Sequence, residues 1–199
     1  MKIKQFIFIL IVSTLFSCND EVDYDFYPKP RGYMRLDFPE RQYSTYSPED
    51  CPFEFDAPAY FNIVDKSNCN KDIVMDRFNA TLFLTYIPID TNLMMNIEFS
   101  RGLVYDHSVK ADAIEEKQVQ YAENEAYGLM YNIKGNAASP YQFYLTDSTN
   151  HFLRGALYFN VKPNYDSIRT SLEYIVEDID HIVETVKWKK SDTEIGEVF

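Results

Sequence analysis

Four strand-like segments in the second half of the chain are joined by connections of only a few residues, and this restricts the fold more than any other feature. The segments cover residues 113–121, 126–133, 141–146 and 152–160. Turn-forming residues fill the links, for example the sequence DSTN at residues 147–150. A parallel return between strands needs a dozen or more residues, so links this short require antiparallel neighbours. The sequence therefore predicts an antiparallel β-meander.

Two further strands are predicted before the meander. Residues 80–87 are dense in β-branched and aromatic residues and are followed by Pro88, which favours a strand that ends there. Polar and apolar residues alternate over residues 33–38, which predicts a first edge strand. The stretch between Cys51 and Cys69 has only weak secondary-structure signals.

Two helices are predicted to cover the sheet. The first, over residues 92–108, keeps apolar residues on one face, although Gly102 weakens it by about 1 kcal/mol. The second, over residues 165–188, follows Asn164 as a cap and carries an apolar stripe broad enough to pack on a sheet. This order of strand, helix, meander and helix predicts a single-domain α+β fold, whose plan is similar to the Mog1/PsbP-like folds.

The N-terminus determines the compartment. Two lysines precede an apolar run over residues 6–16, which is the layout of a secretory signal peptide. A membrane-spanning helix is the weaker alternative, because a bilayer core needs roughly 20 helical residues. The letters LFSC at residues 15–18 resemble a bacterial lipobox, although Phe16 is bulkier than that pattern prefers. We expect residues 1–17 to be removed and Cys18 to carry lipid; ordinary signal cleavage would leave a free thiol instead.

Acyl chains on Cys18 would hold the domain at a membrane. Each buried CH₂ contributes about 0.8 kcal/mol, so the two or three chains of a bacterial lipoprotein anchor durably. Residues 18–30 are first acidic and then proline-rich, which predicts an extended tether. The acidic residues after Cys18 also resemble the surface-export signal of Bacteroidetes lipoproteins. The domain then covers residues 31–190, and residues 191–199 form an exposed tail.

The overall charge argues against one class of partner. A formal charge of −12 argues against nucleic-acid binding, because a polyphosphate backbone would be repelled.

Once Cys18 carries lipid, Cys51 and Cys69 remain, and an even pair outside the cytoplasm is readily oxidised. Such a bridge is worth roughly 3 kcal/mol; the alternative is two separate buried thiols. No CxxC or paired histidine accompanies them, so no metal site is predicted.

Three histidines are the candidate bases for catalysis, and each has a simpler explanation. His107 lies near the end of the first predicted helix, where a helix-terminal charge is favourable. His181 is expected to be exposed on the second helix. His151 follows Asp147 and Ser148, so an acid, a hydroxyl and an imidazole fall within five residues. These residues are also good turn formers and no GxSxG motif supports a hydrolase, so we expect neither enzymatic activity nor a cofactor.

Several blocks of the sequence resemble the gliding-motility lipoprotein GldD family of Bacteroidetes. The blocks are YPKPRGY at 27–33, FP at 38–39, CPF at 51–53, FNAT at 78–81, VY at 104–105 with His107, KADAI at 110–114 and LTDSTNHFLRGALYF at 145–159. The resemblance runs from about residue 27 to residue 188, and its last block is long and specific. It implies an outer-envelope lipoprotein required for gliding and linked to type IX secretion, and it supplies no catalytic residues.

Arg154, inside the last of these blocks, lies on a mostly apolar side of the strand over residues 152–160. Such a cation needs an acid partner or an opening to solvent, and Asp147 or Asp112 could be that partner. A structural ion pair is one interpretation. The other is a recognition spot for a motility or secretion component, with Asp147 and His151 as further partner contacts.

Two functions follow. The favoured one is a non-enzymatic assembly or stabilising factor of the gliding and type IX secretion machinery, lipid-anchored in the envelope at the periplasmic face or the cell surface of the outer membrane. The alternative is an envelope lipoprotein that binds or hydrolyses a small ligand or a glycan. An apolar pocket with convergent polar groups would favour the alternative, whereas a filled interior with exposed Tyr or Phe favours the first.

Overall fold

The computed structural model describes residues 37–189. Several expectations fall outside these residues: the signal peptide (1–17), lipid on Cys18, the tether (18–30) and the tail (191–199). The predicted strand over residues 33–38 also lies outside them except for its last two residues, which are not in a strand. Within the described part of the chain, no helix combines the length and the apolar character that crossing a bilayer requires.

All elements belong to one unit that begins at Phe38. They follow one another in the order β1 (Tyr43–Tyr46), β2 (Phe53–Pro58), β3 (Asn62–Asp65), β4 (Lys71–Met75), β5 (Ala80–Pro88), α1 (Leu93–Tyr105), β6 (Ala111–Tyr121), β7 (Ala126–Gly135), β8 (Tyr141–Thr146), β9 (His151–Phe159), α2 (Tyr165–Thr185) and β10 (Lys187–Trp188).

Seven of these strands form one antiparallel sheet in the order β3-β4-β5-β9-β8-β7-β6. Strands β6 to β9 pair with their neighbours in sequence, so the predicted meander is confirmed. β9 also pairs along its whole length with β5, from Phe159 opposite Ala80 to His151 opposite Pro88. A second, three-stranded sheet has the order β1-β2-β10. The expected α+β fold class is therefore confirmed.

One face of the large sheet packs against α2 and forms the main core. Ile175, Ile179 and Ile182 repeat at helical spacing and are fully buried. They belong to one apolar cluster with Leu82 of the large sheet and Phe53 of the small one. Each fully buried side chain of this kind contributes about 1.5–3 kcal/mol, so α2 is held mainly by its apolar stripe.

The opposite face packs against α1 over a smaller region. Val104 of α1 is buried in a second cluster with Tyr131, Ile133 and Phe152. Leu153, the next residue of β9, belongs to the main core instead. Successive side chains of a strand point to opposite faces, so β9 is covered on both sides, as its sequence predicts.

α2 ends earlier than predicted. Its last helical residue is Thr185, and Val186 adopts a φ of −54° and a ψ of 129°. Lys187 and Trp188 then form β10 against β2. Val186 is buried and continues the apolar period of the helix, so the period alone did not reveal the turn. β2 supplies main-chain partners that satisfy the backbone after the helix ends.

Strands β1 to β4 were not predicted from the sequence. β1 is polar and largely exposed, and β3 is only four residues long. Short strands of this kind depend on neighbouring strands more than on their own propensity. The first helix is also shorter than predicted, since it ends at Tyr105 and a separate 3₁₀ turn follows over Ser108–Lys110.

The predicted disulfide is present. Cys51 and Cys69 are bonded, with Cα atoms 5.5 Å apart and a separation of 18 positions in the sequence. Cys51 lies just before β2 and Cys69 just before β4, so the bond connects the two sheets. The Lys71 ammonium donates to Cys51 Sγ over 3.4 Å and pairs with the Asp65 carboxylate at 2.8 Å.

Replacing both bonded cysteines with serine is expected to lower the free energy of unfolding by about 3 kcal/mol. The unfolded chain would regain the entropy that the bond removes from the loop between Cys51 and Cys69. Urea denaturation of the double variant beside the oxidised wild-type protein measures the loss, and the reduced wild-type protein should match the variant. Equal stability of the double variant and the oxidised protein would contradict the prediction.

Candidate interaction site

The turn between β8 and β9 is organised by a single carboxylate. Asp147 Oδ1 accepts hydrogen bonds from the main-chain N–H groups of Thr149 at 3.0 Å, and of Asn150 and His151 at 2.8 Å. Partial burial alone would raise the pKa of the Asp147 carboxyl, but these donors outweigh it and hold that pKa below its usual value. Ser148 takes a positive φ of 71°, which the turn imposes.

His151, the first residue of β9, is held between two aromatic side chains from other strands. Its Nδ1 is hydrogen-bonded to the Tyr86 hydroxyl of β5 at 2.8 Å. Its ring stacks on the Trp188 indole of β10, with centroids 5.1 Å apart. The indole N–H donates to the main-chain oxygen of Glu125 over 3.1 Å. Two strands that are distant from β9 in sequence thus fix its imidazole.

These residues form one side of an open cleft of about 720 Å³. Tyr86, His151 and Trp188 provide its aromatic wall. Its carboxylates are Glu49, Asp50, Glu125 and Asp147. Lys189 also lies at the cleft, and its ammonium donates to the main-chain oxygen of Pro48. The cleft is therefore aromatic on one side and predominantly acidic in its charged groups.

The acid, the hydroxyl and the imidazole that the sequence placed within five residues all belong to this turn, where the acid bonds to the main chain. A triad acid contacts the imidazole of its base, whereas Asp147 Oδ1 accepts from main-chain N–H groups. His151 Nδ1 contacts the Tyr86 hydroxyl. The same residues therefore serve to shape the turn and to orient the ring.

Arg154 has a different partner from the two acids that the sequence suggested. Its Nη2 donates to Gln142 Oε1 of β8 at 2.5 Å, and no ion pair of Arg154 is found among residues 37–189. The expectation of Asp147 or Asp112 is therefore wrong. Asp147 is committed to the turn at the end of the strand, and Asp112 lies on β6, three strands away from β9. Burial lowers the pKa of the Arg154 guanidinium.

The remaining histidines lie just after α1 and within α2. His107 lies two residues beyond α1; burial lowers its pKa, Asp106 opposes this, and Arg154 lowers the pKa further. His181 is partly buried, with its ring centroid 3.9 Å from that of Tyr43. The expectation that His181 is exposed is wrong, because the unpredicted strand β1 brings Tyr43 against this face of α2.

The sequence analysis missed a buried acid, Asp178 of α2, which is fully inaccessible to solvent. It accepts hydrogen bonds from Arg41 Nε at 2.9 Å, from the Tyr43 hydroxyl at 2.7 Å and from the Tyr60 hydroxyl. Burial, and then the hydrogen bond to Asp178, raise the pKa of Tyr60. Asp178 interrupts the apolar stripe between Ile175 and Ile182, which is the signal that could have revealed it.

Among residues 37–189, no group of three or more His, Cys, Asp or Glu side chains is placed to hold a metal ion.

The family described as gliding motility lipoprotein GldD matches residues 23–188 of the chain. No curated protein matches it. Among solved structures, a solution structure of cyanobacterial PsbP (CyanoP) from Synechocystis sp. PCC 6803 aligns with 13% identity and a TM-score of 0.38, over 73% of this chain and 96% of that one.

Proposed function

The chain belongs to the gliding motility lipoprotein GldD family, and on that basis we propose that it is a non-enzymatic assembly or stabilising factor of the gliding and type IX secretion machinery. Members of the family are lipoproteins, so the protein is anchored to a membrane of the cell envelope. In the proposal the anchor is lipid on Cys18 and the membrane is the outer membrane. The folded domain then meets protein partners at the periplasmic face or the cell surface.

The cleft beside the β8–β9 turn is the observation that carries this proposal. Asp147 orders the turn, and Tyr86 and Trp188 orient His151, so the edge of the cleft is built from groups in fixed positions. Binding to a preorganised surface costs little side-chain ordering. We infer that this edge is a docking surface and that Asp147 and His151 contribute to it.

The charge of the cleft indicates the kind of group that a partner would place there. Its carboxylates outnumber its cations, and the Lys189 ammonium is bonded to a main-chain oxygen. A basic side chain of a partner would be attracted by this charge and could pack on the exposed parts of the aromatic wall. We therefore expect a partner segment that carries lysine or arginine.

A photo-crosslinking residue in place of Thr149, which is exposed on the turn, tests the docking surface in cells that need the protein for colony spreading. We expect adducts with a protein of the gliding or secretion machinery. The same residue in place of Glu173, exposed on α2 and outside the cleft, is the matched control and should give none. Equal adducts at both positions, or none at position 149, would contradict the proposal.

A charge reversal completes this experiment. Glu49 and Asp50 are exposed at the cleft, so the double substitution Glu49→Lys and Asp50→Lys should leave the fold intact. We expect it to abolish most of the adducts at position 149 and to impair spreading at unchanged protein abundance, because like charges repel a basic partner. Normal spreading and normal adducts would argue against the acidic rim.

A second candidate function is the binding or hydrolysis of a small ligand or a glycan. The observation that favours it is the cleft itself, since an aromatic wall beside carboxylates suits a sugar ring. Incubation of the purified lipoprotein with cell-wall glycan fragments separates the two candidates. Saturable glycan binding that Trp188→Ala removes, in the absence of any protein adduct at position 149, would favour this second function.

A further inference from the structure

The layer between α1 and the large sheet is unusually polar for a buried layer. α1 packs on β8 and β9, and the buried residues of its inner face are Asn96, Ser100 and Val104. Two of these three are polar. The outer face of the same helix carries the exposed apolar residues Met94, Met95 and Phe99. Leu93 and Ile97 also pack on this side but are only partly buried, so the fully buried part of the helix is mostly polar and requires an explanation.

Most of the buried polar atoms without a hydrogen-bond partner lie in this layer. Among the described residues they include Asn96 Nδ2, Ser100 Oγ, Tyr131 Oη and Gln142 Nε2. The four residues are at most 7% exposed. Each of the four groups can donate a hydrogen bond. A buried donor left unpaired costs about 1–3 kcal/mol, so a cluster of four is a substantial cost in one place.

The positions of these groups on the sheet follow from the strand register. Tyr131 of β7 is opposite Gln142 of β8, and Gln142 is opposite Ala156 of β9. Gln142 alternates with Tyr141 and Phe143, which belong to the main core, so its side chain faces α1. Tyr131 faces the same way, since it belongs to the cluster around α1.

Arg154 adds a cation to this layer and fixes the direction of the amide. Its Nη2 donates to Gln142 Oε1, so Gln142 Nε2 is the end of the amide that lacks an acceptor. Arg154 is partly exposed, and within residues 37–189 it has no carboxylate partner in a chain that carries a formal charge of −12. Gln142 Nε2 and the Arg154 guanidinium are therefore donors without a carboxylate partner within residues 37–189.

The Arg154 side chain lies where the covered part of the sheet meets an uncovered part. Its neighbour across the strands is Thr85 of β5, and the exposed Phe83 lies on the same face two residues away. The Phe83 ring contacts the Tyr158 ring edge-on, with centroids 5.7 Å apart. A group that binds Arg154 from solvent could thus also contact the Phe83 and Tyr158 rings.

We propose that Arg154, held by Gln142, is a binding site for one carboxylate of an acidic side chain on a partner protein, presented beside an apolar residue that contacts Phe83 and Tyr158. A guanidinium with free N–H groups binds a planar carboxylate through two parallel hydrogen bonds. A phosphate dianion is matched less well, because the site has a single cation. The inference rests on the proposed function, in which the partner is a protein.

Titration of the purified lipoprotein with acetate, at constant ionic strength, tests the site without a partner. We expect acetate to shift the ¹⁵N resonances of the Arg154 guanidinium and the Gln142 side-chain amide, and acetamide, its neutral analogue, to leave them in place. Arg154→Gln should weaken acetate binding at least about tenfold, which corresponds to the loss of one charge-assisted contact. Equal responses of the folded Arg154→Gln variant and the wild type would overturn the proposal, as would tighter binding of inorganic phosphate than of acetate.

Gln142→Glu is the decisive variant, because it places a carboxylate on the atom that Arg154 already contacts. The internal ion pair should occupy the guanidinium, so the variant is expected to fold with unchanged or increased stability and to lose acetate binding. Loss of folding in Arg154→Gln therefore does not leave the site untested. Undiminished acetate binding by folded Gln142→Glu would overturn the proposal.

A photo-crosslinking residue in place of Phe83 tests the same site in cells. We expect adducts with a protein partner that fall at least about tenfold in Arg154→Gln and in Gln142→Glu, while adducts from position 149 are unchanged. Adducts at position 83 that do not depend on Arg154 would overturn the carboxylate site. Failure of the proposed function is distinct from this outcome, since it would remove adducts at both positions without affecting the acetate titration.

Discussion

Replacing Asp178 with alanine is expected to lower the free energy of unfolding by about 1.5–3 kcal/mol, because three donors lose a charged acceptor that is itself buried. Arg41 and the hydroxyls of Tyr43 and Tyr60 all donate to this carboxylate, which is inaccessible to solvent. The Arg41 guanidinium also lies 4.2 Å above the centre of the Tyr174 ring. One side chain of α2 therefore holds two separate segments of the chain, residues 41–43 and Tyr60.

Glu177→Ala is the matched control for this prediction. Glu177 pairs with the same Arg41, at 2.8 Å, but its side chain is 67% exposed. An exposed ion pair contributes about 0–1 kcal/mol, so this neighbouring substitution should change the urea midpoint little. Asp178→Asn keeps an acceptor oxygen but removes the charge, and should fall between the two. Equal stability of Asp178→Ala and Glu177→Ala would show that the cluster around Asp178 contributes nothing beyond a surface pair.

The second half of the fold could be predicted because its signals are local. The turn residues between β8 and β9 lie within one short link, and the predicted bounds of the strand Tyr141–Thr146 agree with the structure. The end of α2 could not be predicted in this way. An apolar residue at position 186 fits the period of a helix, and it fits equally well a buried residue just before a strand. Only the pairing of the next two residues with β2 shows that the helix has ended.

In the candidate sites too, residues that are close in sequence were predicted and residues from distant strands were not. Asp147 and His151 were found together because they are neighbours in one turn, and Cys51 and Cys69 because they are the remaining pair of cysteines. The aromatic residues that orient His151 come from β5 and β10, which no local pattern connects.

Arg154 illustrates a different limit of sequence reasoning. The cost of burying a cation argued for an acid partner, and the structure supplies the neutral Gln142 instead. An amide oxygen satisfies one donor without neutralising the charge, so the guanidinium keeps its capacity to bind an anion. The departure from the expected ion pair is thus what led to the proposed carboxylate site.

The largest loss of stability in the large sheet is expected from Gly128→Ala. Gly128 of β7 is opposite Leu145 of β8, and a Cβ atom added there would lie 1.8 Å from the main-chain oxygen of Tyr144. A main-chain oxygen cannot turn aside like a flexible side chain, so the two strands must separate locally. We expect a loss of more than about 4 kcal/mol, the range of severe core damage, and a fall in soluble yield.

Gly102→Ala is the control for the glycine prediction, because a Cβ atom at that helical position meets no atom within 4 Å. It should leave stability unchanged or raise it by up to about 1 kcal/mol, since alanine favours a helix more than glycine does. Urea denaturation of both variants gives the comparison. If Gly128→Ala were as stable as Gly102→Ala, the close approach of β7 to the Tyr144 carbonyl would be wrong. The placement of Gln142 beside Tyr131 across the same strand pair, on which the carboxylate site depends, would then need revision.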